Sequence, residues 1–138
     1  MALIDHVYND IGLADQFDDA TDTLNAAAIN GSTGRGHFYV GTPTSGNKIQ
    51  AASDPGTDPI QVTIVDAAAG TGVDELDIKL ATSEGALGSA VAGDPLNLPA
   101  TINYGTPAAV WFEWDNSVGS GTYTEISLEI VARIETLI

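Results

Sequence analysis

The run Glu125-Ile126-Ser127-Leu128-Glu129-Ile130-Val131-Ala132-Arg133-Ile134-Glu135 decides the fold class. Ile126, Leu128, Ile130, Ala132 and Ile134 face away from Glu125, Ser127, Glu129, Arg133 and Glu135 when successive side chains point to opposite sides, as they do on a β-strand. Helical spacing would scatter the acids into the apolar face, so a half-buried strand with one wet side is expected. The same period of two recurs outward from this run. Ile60, Val62 and Ile64 oppose Gln61 and Thr63; Leu76, Ile78 and Leu80 oppose Asp77 and Lys79; Val110, Phe112 and Trp114 oppose Trp111 and Glu113. Phe38 and Val40 begin an earlier strand between Gly36 and Gly41, and further strands are expected at 21–26, 96–98 and 101–104.

Turn signals punctuate these runs. Asn30-Gly31, Asp54-Pro55, Asp58-Pro59, Gly70-Thr71-Gly72, Gly93-Asp94-Pro95 and Gly119-Ser120-Gly121 fall between the alternating segments, at the spacing of a sandwich or barrel. No stretch is left for crossover helices, which argues for antiparallel strands in two layers. The expected fold is an all-β, antiparallel β-sandwich of jelly-roll type over residues 21–138, preceded by a short N-terminal arm, residues 1–20. In the arm, Leu3, Ile4, Val7, Tyr8 and Ile11 recur at helical spacing until Gly12 interrupts. A helix this short is marginal alone. It either packs on its own sandwich or orders on a partner, and Leu137 and Ile138 pose the same choice. The small-residue stretch 81–93 reads as a long flexible loop.

At 138 residues the chain is the size of one domain, burying roughly two-thirds of its unfolded surface. No apolar run approaches the ~18 residues of a membrane span, and the polar N-terminus lacks a signal-peptide pattern, so a soluble, unexported protein is expected. Cysteine is absent, which removes disulfides and thiolate metal sites. Nineteen acidic residues against Arg35, Lys48, Lys79 and Arg133 give a formal charge of −15. That balance cannot supply the cationic footprint phosphate neutralisation requires, which excludes direct nucleic-acid binding. The acids either serve solubility alone or favour a more basic protein partner.

Catalytic signatures are missing. His6 and His37 are the only histidines, and no Gly-x-Ser-x-Gly elbow presents a nucleophile. Glu113 and Glu129 are acids on polar strand faces, where solvation is the ordinary state rather than a glycosidase pair. Gly31-Ser32-Thr33-Gly34-Arg35-Gly36 lacks the Lys-Ser/Thr and helix of a phosphate loop, and reads as a turn into the strand at 37–40. Asp18, Asp19 and Asp22, and Asp74, Glu75 and Asp77, offer hard oxygens suited to calcium but not the spacing of an EF-hand. No catalytic, cofactor or metal residue is therefore assigned. Trp111, Tyr104 and Tyr123 are candidates for an aromatic, sugar-binding platform. Trp111, opposite the Val110/Phe112/Trp114 face, is expected to point outward as a binding or subunit contact.

Over most of the chain, the order of elements resembles a known family. An arm ending Asn9-Asp10-Ile11-Gly12, a strand before Asn30-Gly31, Glu75-Leu76-Asp77-Ile78-Lys79-Leu80-Ala81-Thr82-Ser83 before a small-residue loop, Leu98-Pro99-Ala100-Thr101-Ile102-Asn103-Tyr104 and a closing strand over 126–134 are similar to the jelly-roll capsid cement (decoration) proteins of short-tailed bacteriophages. This chain departs from the pattern in an extra Pro/Gly-rich stretch, 41–59. The resemblance implies a non-enzymatic structural protein without cofactor. It would be made in the bacterial host cytoplasm and sit on the outer surface of the virion head, bridging major capsid protein subunits. It implies too a homo-oligomer, dimer or trimer, at capsid symmetry axes, with no membrane or nucleic-acid partner. Leu3, Ile4, Val7, Tyr8 and Ile11 are then the expected capsid contacts and Trp111 a subunit contact. The competing expectation is a carbohydrate- or receptor-binding sandwich of a phage fibre or surface layer.

Overall fold

The computed structural model describes residues 6–8, 11–14, 33–66, 77–115, 126–131 and 133–138. Its strands are β1 (Val7–Tyr8), β2 (Thr33–Val40), β3 (Asn47–Ala51), β4 (Gln61–Asp66), β5 (Ile78–Ala81), β6 (Leu96–Asn97), β7 (Thr101–Asn103), β8 (Ala108–Asp115), β9 (Ile126–Ile130) and β10 (Arg133–Leu137). They form a four-stranded sheet, β1-β2-β8-β5, and two three-stranded sheets, β10-β3-β7 and β6-β4-β9. Every pairing is antiparallel. A mostly β, antiparallel protein is thus what the alternating pattern yields. The expected strands at 96–98 and 101–104 appear as β6 and β7; the one expected at 21–26 lies outside the described residues.

The two three-stranded sheets are halves of one ribbon. β3 and β4 follow one another along the β9–β10 run, and Val131 N–H donates to the Gln61 carbonyl (3.0 Å) and Leu98 N–H to that of Ile60 (2.7 Å) where the halves meet. Residues 52–60 are an excursion that interrupts the central strand. One hydrophobic cluster joins the ribbon to the four-stranded sheet: Phe38, Val40, Ile78, Leu80, Val110, Phe112 and Trp114 from the sheet meet Ile49, Val62, Ile64, Leu98, Ile102 and Leu128 from the ribbon. Burying such side chains is worth roughly 1.5–3 kcal/mol each, which makes this cluster the main source of stability.

Several expectations need correction. The arm's helical spacing gives way to strand at Val7–Tyr8, which pairs with Val40 and Tyr39. An edge strand on β2 satisfies the backbone and places Val7 in the core, gains that a one-turn helix cannot match. Glycines 34 and 36 are not turn residues but core-facing positions of β2. They stand opposite Trp114 and Phe112, and a Cβ on Gly34 would lie 1.9 Å from the Trp114 ring, so these glycines are the gaps into which the aromatics lie. The stretch 41–59 contains a strand, β3, whose Ile49 and Ala51 are buried. The loop 81–93 carries a 3-10 helix, Glu84–Ser89, anchored by fully buried Leu87, and Gly93 N–H donates to the Ile78 carbonyl (2.8 Å).

The largest correction concerns the C-terminal run. In β9, Leu128 and Ile130 stand opposite core-facing Ile64 and Val62, as alternation requires. In β10 the phase reverses: Glu135 and Arg133 stand opposite buried Ile49 and Ala51, while Ile134 pairs with Gln50 on the other face. Inward positions Ile130 and Arg133 are three residues apart, so the intervening break shifts the side-chain parity by one. The break also frees backbone carbonyls, and the Arg133 guanidinium folds back to donate Nη1 to those of Ile130 (3.1 Å) and Val131 (2.9 Å).

Candidate functional site

Two constellations stand out: the outer face of the four-stranded sheet, and a polar cluster at one end of the molecule. Residues directly opposite on antiparallel strands share a face, so the register of β2, β8 and β5 builds the outer face row by row. Arg35, Glu113 and Lys79 form one row, His37, Trp111 and Ala81 the next, and Tyr8, Tyr39 and Ala109 a third. The His37 and Trp111 rings stack with centroids 4.4 Å apart and planes 29° from parallel; Tyr39 meets His37 edge-on at 5.5 Å. Beside them Arg35 Nε donates to Glu113 Oε2 at 2.7 Å. Tyr8, opposite Tyr39, and Ala81, opposite Trp111, are buried, so this face is covered at both flanks and most open at His37 and Arg35.

The second constellation centres on Glu135. Its Oε1 accepts from Thr42 Oγ1 (2.6 Å) and Asn47 Nδ2 (2.9 Å), and its Oε2 lies 2.8 Å from His6 Nε2. Thr42 is the single fully buried polar residue among those described, and its hydroxyl also accepts from Thr44 N–H (3.2 Å). The hydrogen bonds from Thr42, then Asn47, then His6 hold the Glu135 carboxyl at about 2, well below its ordinary 4.5, against a smaller opposing cost of burial. This carboxylate ties β10 to the link between β2 and β3 and to the arm. His6 enters the arrangement through a left-handed backbone, φ 61°, and its carbonyl accepts from Gly41 N–H (3.0 Å).

The expected site residues separate. Val7 is in the core and Tyr8 is buried, so neither offers a surface; Ile11 is 68% exposed; Leu3 and Ile4 lie outside the described residues. Trp111 does point outward, half-buried against His37. Tyr104 is exposed in the turn after β7 rather than beside Trp111, and Tyr123 lies outside the described residues. The two histidines do not converge: one meets Glu135, the other Trp111. Glu113 and Glu129 belong to different sheets. Of the proposed calcium ligands only Asp77 is described, and among the described residues no group of three His, Asp or Glu gathers around a common point.

Sequence reading passed over Arg35, His37 and Tyr39 as a set, although their alternation with Phe38 and Val40 marks them as one outward face. Glu135 carried no local signal, since its partners are 88 to 129 residues away. The chain matches no family model, no curated protein and no solved structure.

Proposed function

We propose that this chain is a structural protein of a tailed-phage virion. In this reading it is a capsid cement protein whose antiparallel sheets are the layers of a jelly-roll β-sandwich on the outside of the head. The observation that supports this best is where exposed apolar side chains lie. Ile11, Leu137 (79% exposed) and Ile138 (67% exposed) all sit on segments anchored to the same link, 41–47. Leu13 packs by Gly41, His6 bonds to Gly41, Glu135 bonds to Thr42 and Asn47, and Ile138 N–H donates to the Gly46 carbonyl. Apolar groups left exposed on neighbouring segments suit attachment to another protein.

The sequence resemblance and the −15 charge support the same reading, since an acidic protein fits the outer shell and not the DNA-facing interior. Binding the assembled lattice but not free major capsid protein would stabilise the shell by linkage, and symmetry-related copies would add avidity. A homo-oligomer at a symmetry axis and a subunit contact through Trp111 belong to this proposal.

Co-sedimentation with expanded phage heads tests it. Ile11→Ser combined with Leu137→Ser and Ile138→Ser is expected to lower head occupancy at least tenfold while leaving the circular dichroism spectrum unchanged. Unaltered occupancy would remove this end from the mechanism, and failure of the wild type to bind heads would remove the cement reading. Deleting residues 1–12 is the poorer experiment, because it also takes away core residue Val7.

A further inference from the structure

We infer that β10 pairs with β10 of a second copy of this chain, antiparallel and about a two-fold axis through Thr136, so that two ribbons join edge to edge. This goes beyond the cement reading and does not depend on it, because the case is made by the strand's own backbone, exposure and side chains.

Two hydrogen bonds fix which way the backbone of β10 faces. Ile138 N–H donates to the Gly46 carbonyl (2.9 Å), in the register that sets Leu137 opposite Asn47. Opposed residues of an antiparallel pair alternately exchange both bonds and none. Ile138, Thr136 and Ile134 therefore turn their backbone groups toward β3, and Glu135 and Leu137 turn theirs the other way. Tyr104 N–H donating to the Asn47 carbonyl (2.9 Å) agrees, because Asn47 then faces β7 and not β10. Among the described residues β10 has β3 as its one neighbour, so the Glu135 and Leu137 groups lie along an open edge. Three of the six exposed large apolar side chains among those residues, Ile134, Leu137 and Ile138, line the same edge.

A second copy is the occupant whose sequence fits. Centred on Thr136, the pairing sets Glu135 opposite the partner's Leu137. These are the residues with outward backbone groups, so each such pair closes two hydrogen bonds. On one face Ile134 meets the partner's Ile138, twice by symmetry, with Thr136 against the partner's Thr136 between them, and cross-strand pairs of this kind are favourable. Moving the axis to Glu135 would oppose two carboxylates directly. Moving it to Ile134 would set Leu137 opposite the partner's Val131, whose N–H is already given to the Gln61 carbonyl. Each copy carries a charge of −15, which opposes association at low salt. So short a contact is small and holds only at high protein concentration. Strand side chains stand roughly perpendicular to the sheet, so pairing covers the flanks of Ile134 and Ile138 and leaves their tips as one apolar strip across the axis.

The chain has no cysteine, so single cysteines report the seam directly. Opposed Cα atoms in a pair that exchanges no hydrogen bond lie about 4.5 Å apart, within disulfide reach. Under mild oxidation in about 1 M salt, where charges are screened within ~3 Å, Thr136→Cys is expected to form a crosslinked dimer at least tenfold faster than Val91→Cys, an exposed site outside the seam. In sedimentation of the unaltered chain, the dimer fraction should rise with protein concentration. Leu137→Pro deletes an outward N–H and no bond to β3, and should weaken the dimer at least tenfold with an unchanged circular dichroism spectrum. The inference is overturned if Thr136→Cys crosslinks no faster than Val91→Cys, or if Ile134→Cys crosslinks faster than Thr136→Cys. It is overturned too if the dimer survives Leu137→Pro and is lost in Trp111→Ala, which would give the seam to the four-stranded sheet. A wild type that dimerises without binding phage heads keeps this inference and removes the cement reading, and one that binds heads but stays monomeric does the reverse.

Discussion

β9 and β10 come from one alternating stretch, broken on its polar side only by Val131, yet they meet the core in opposite ways. β9 turns apolar Leu128 inward, 2% exposed, where it pairs with Ile64. β10 sets Glu135, itself still exposed, opposite buried Ile49 and leaves Ile134 opposite Gln50 on the other face. The difference is one of position in the ribbon. β9 lies beside β4 and its Leu128 belongs to the hydrophobic cluster, so its inward side chains bury apolar area. The inward side of β10 lies beside the link 41–47, where Thr42 and Asn47 present donors that an apolar side chain would leave unpaired. Binary pattern thus sets which strands exist, and the local supply of polar partners sets which phase each adopts.

The sharpest way to break this contrast is on the β9 side. Leu128→Ala removes a fully packed side chain and should cost about 2–5 kcal/mol in denaturant unfolding, through lost burial and the cavity left behind. A loss under about 1 kcal/mol would mean that β9 does not hold the core as described. On the β10 side, Glu135→Ala strands the buried Thr42 hydroxyl and should cost about 1–3 kcal/mol, less than the core cavity at its upper end.

Acid should separate the two strands as well. The Glu135 carboxyl is depressed in the folded protein, so its contribution is present in full above the unfolded value of 4.5. It is lost as pH falls towards about 2. Between those limits the wild type should lose stability more steeply than Glu135→Gln, while Leu128→Ala should run parallel to the wild type. Matching slopes for wild type and Glu135→Gln in acid-urea titrations would show that the cluster does not hold the proton off.

What the sequence made legible follows the same division. Ile60, Val62, Ile64, Ile78, Leu80, Val110, Phe112, Trp114 and Leu128 are read from alternation alone, and all are buried. Glycines 34 and 36 were illegible because the core position there is filled from across the sheet by Trp114 and Phe112, and a residue without a side chain carries no periodic signal. Leu87 was hidden among alanines and glycines. The Glu135 cluster gathers residues 6, 42, 47 and 135, and the outer face gathers residues from β2, β8 and β5. The Glu135 cluster is visible in no local window; of the outer face a window shows each strand's own outward set, and strand register alone brings those sets together.

The smallest expected effect is the one most specific to the phase reversal. Had alternation continued unbroken from Leu128, Ile134 would be a core residue and Ile134→Ala would cost several kcal/mol. With Ile134 instead opposite Gln50 and 37% exposed, truncation removes only part of a solvent-facing contact and should cost under about 1 kcal/mol. Ile134→Thr should be closer still to neutral, because a β-branched side chain suits an edge strand whether or not it is apolar. A core-sized loss for Ile134→Ala in the same unfolding series, beside a negligible loss for Glu135→Ala, would put β10 back in the phase of β9 and dissolve the cluster that closes the arm against the C-terminal strand.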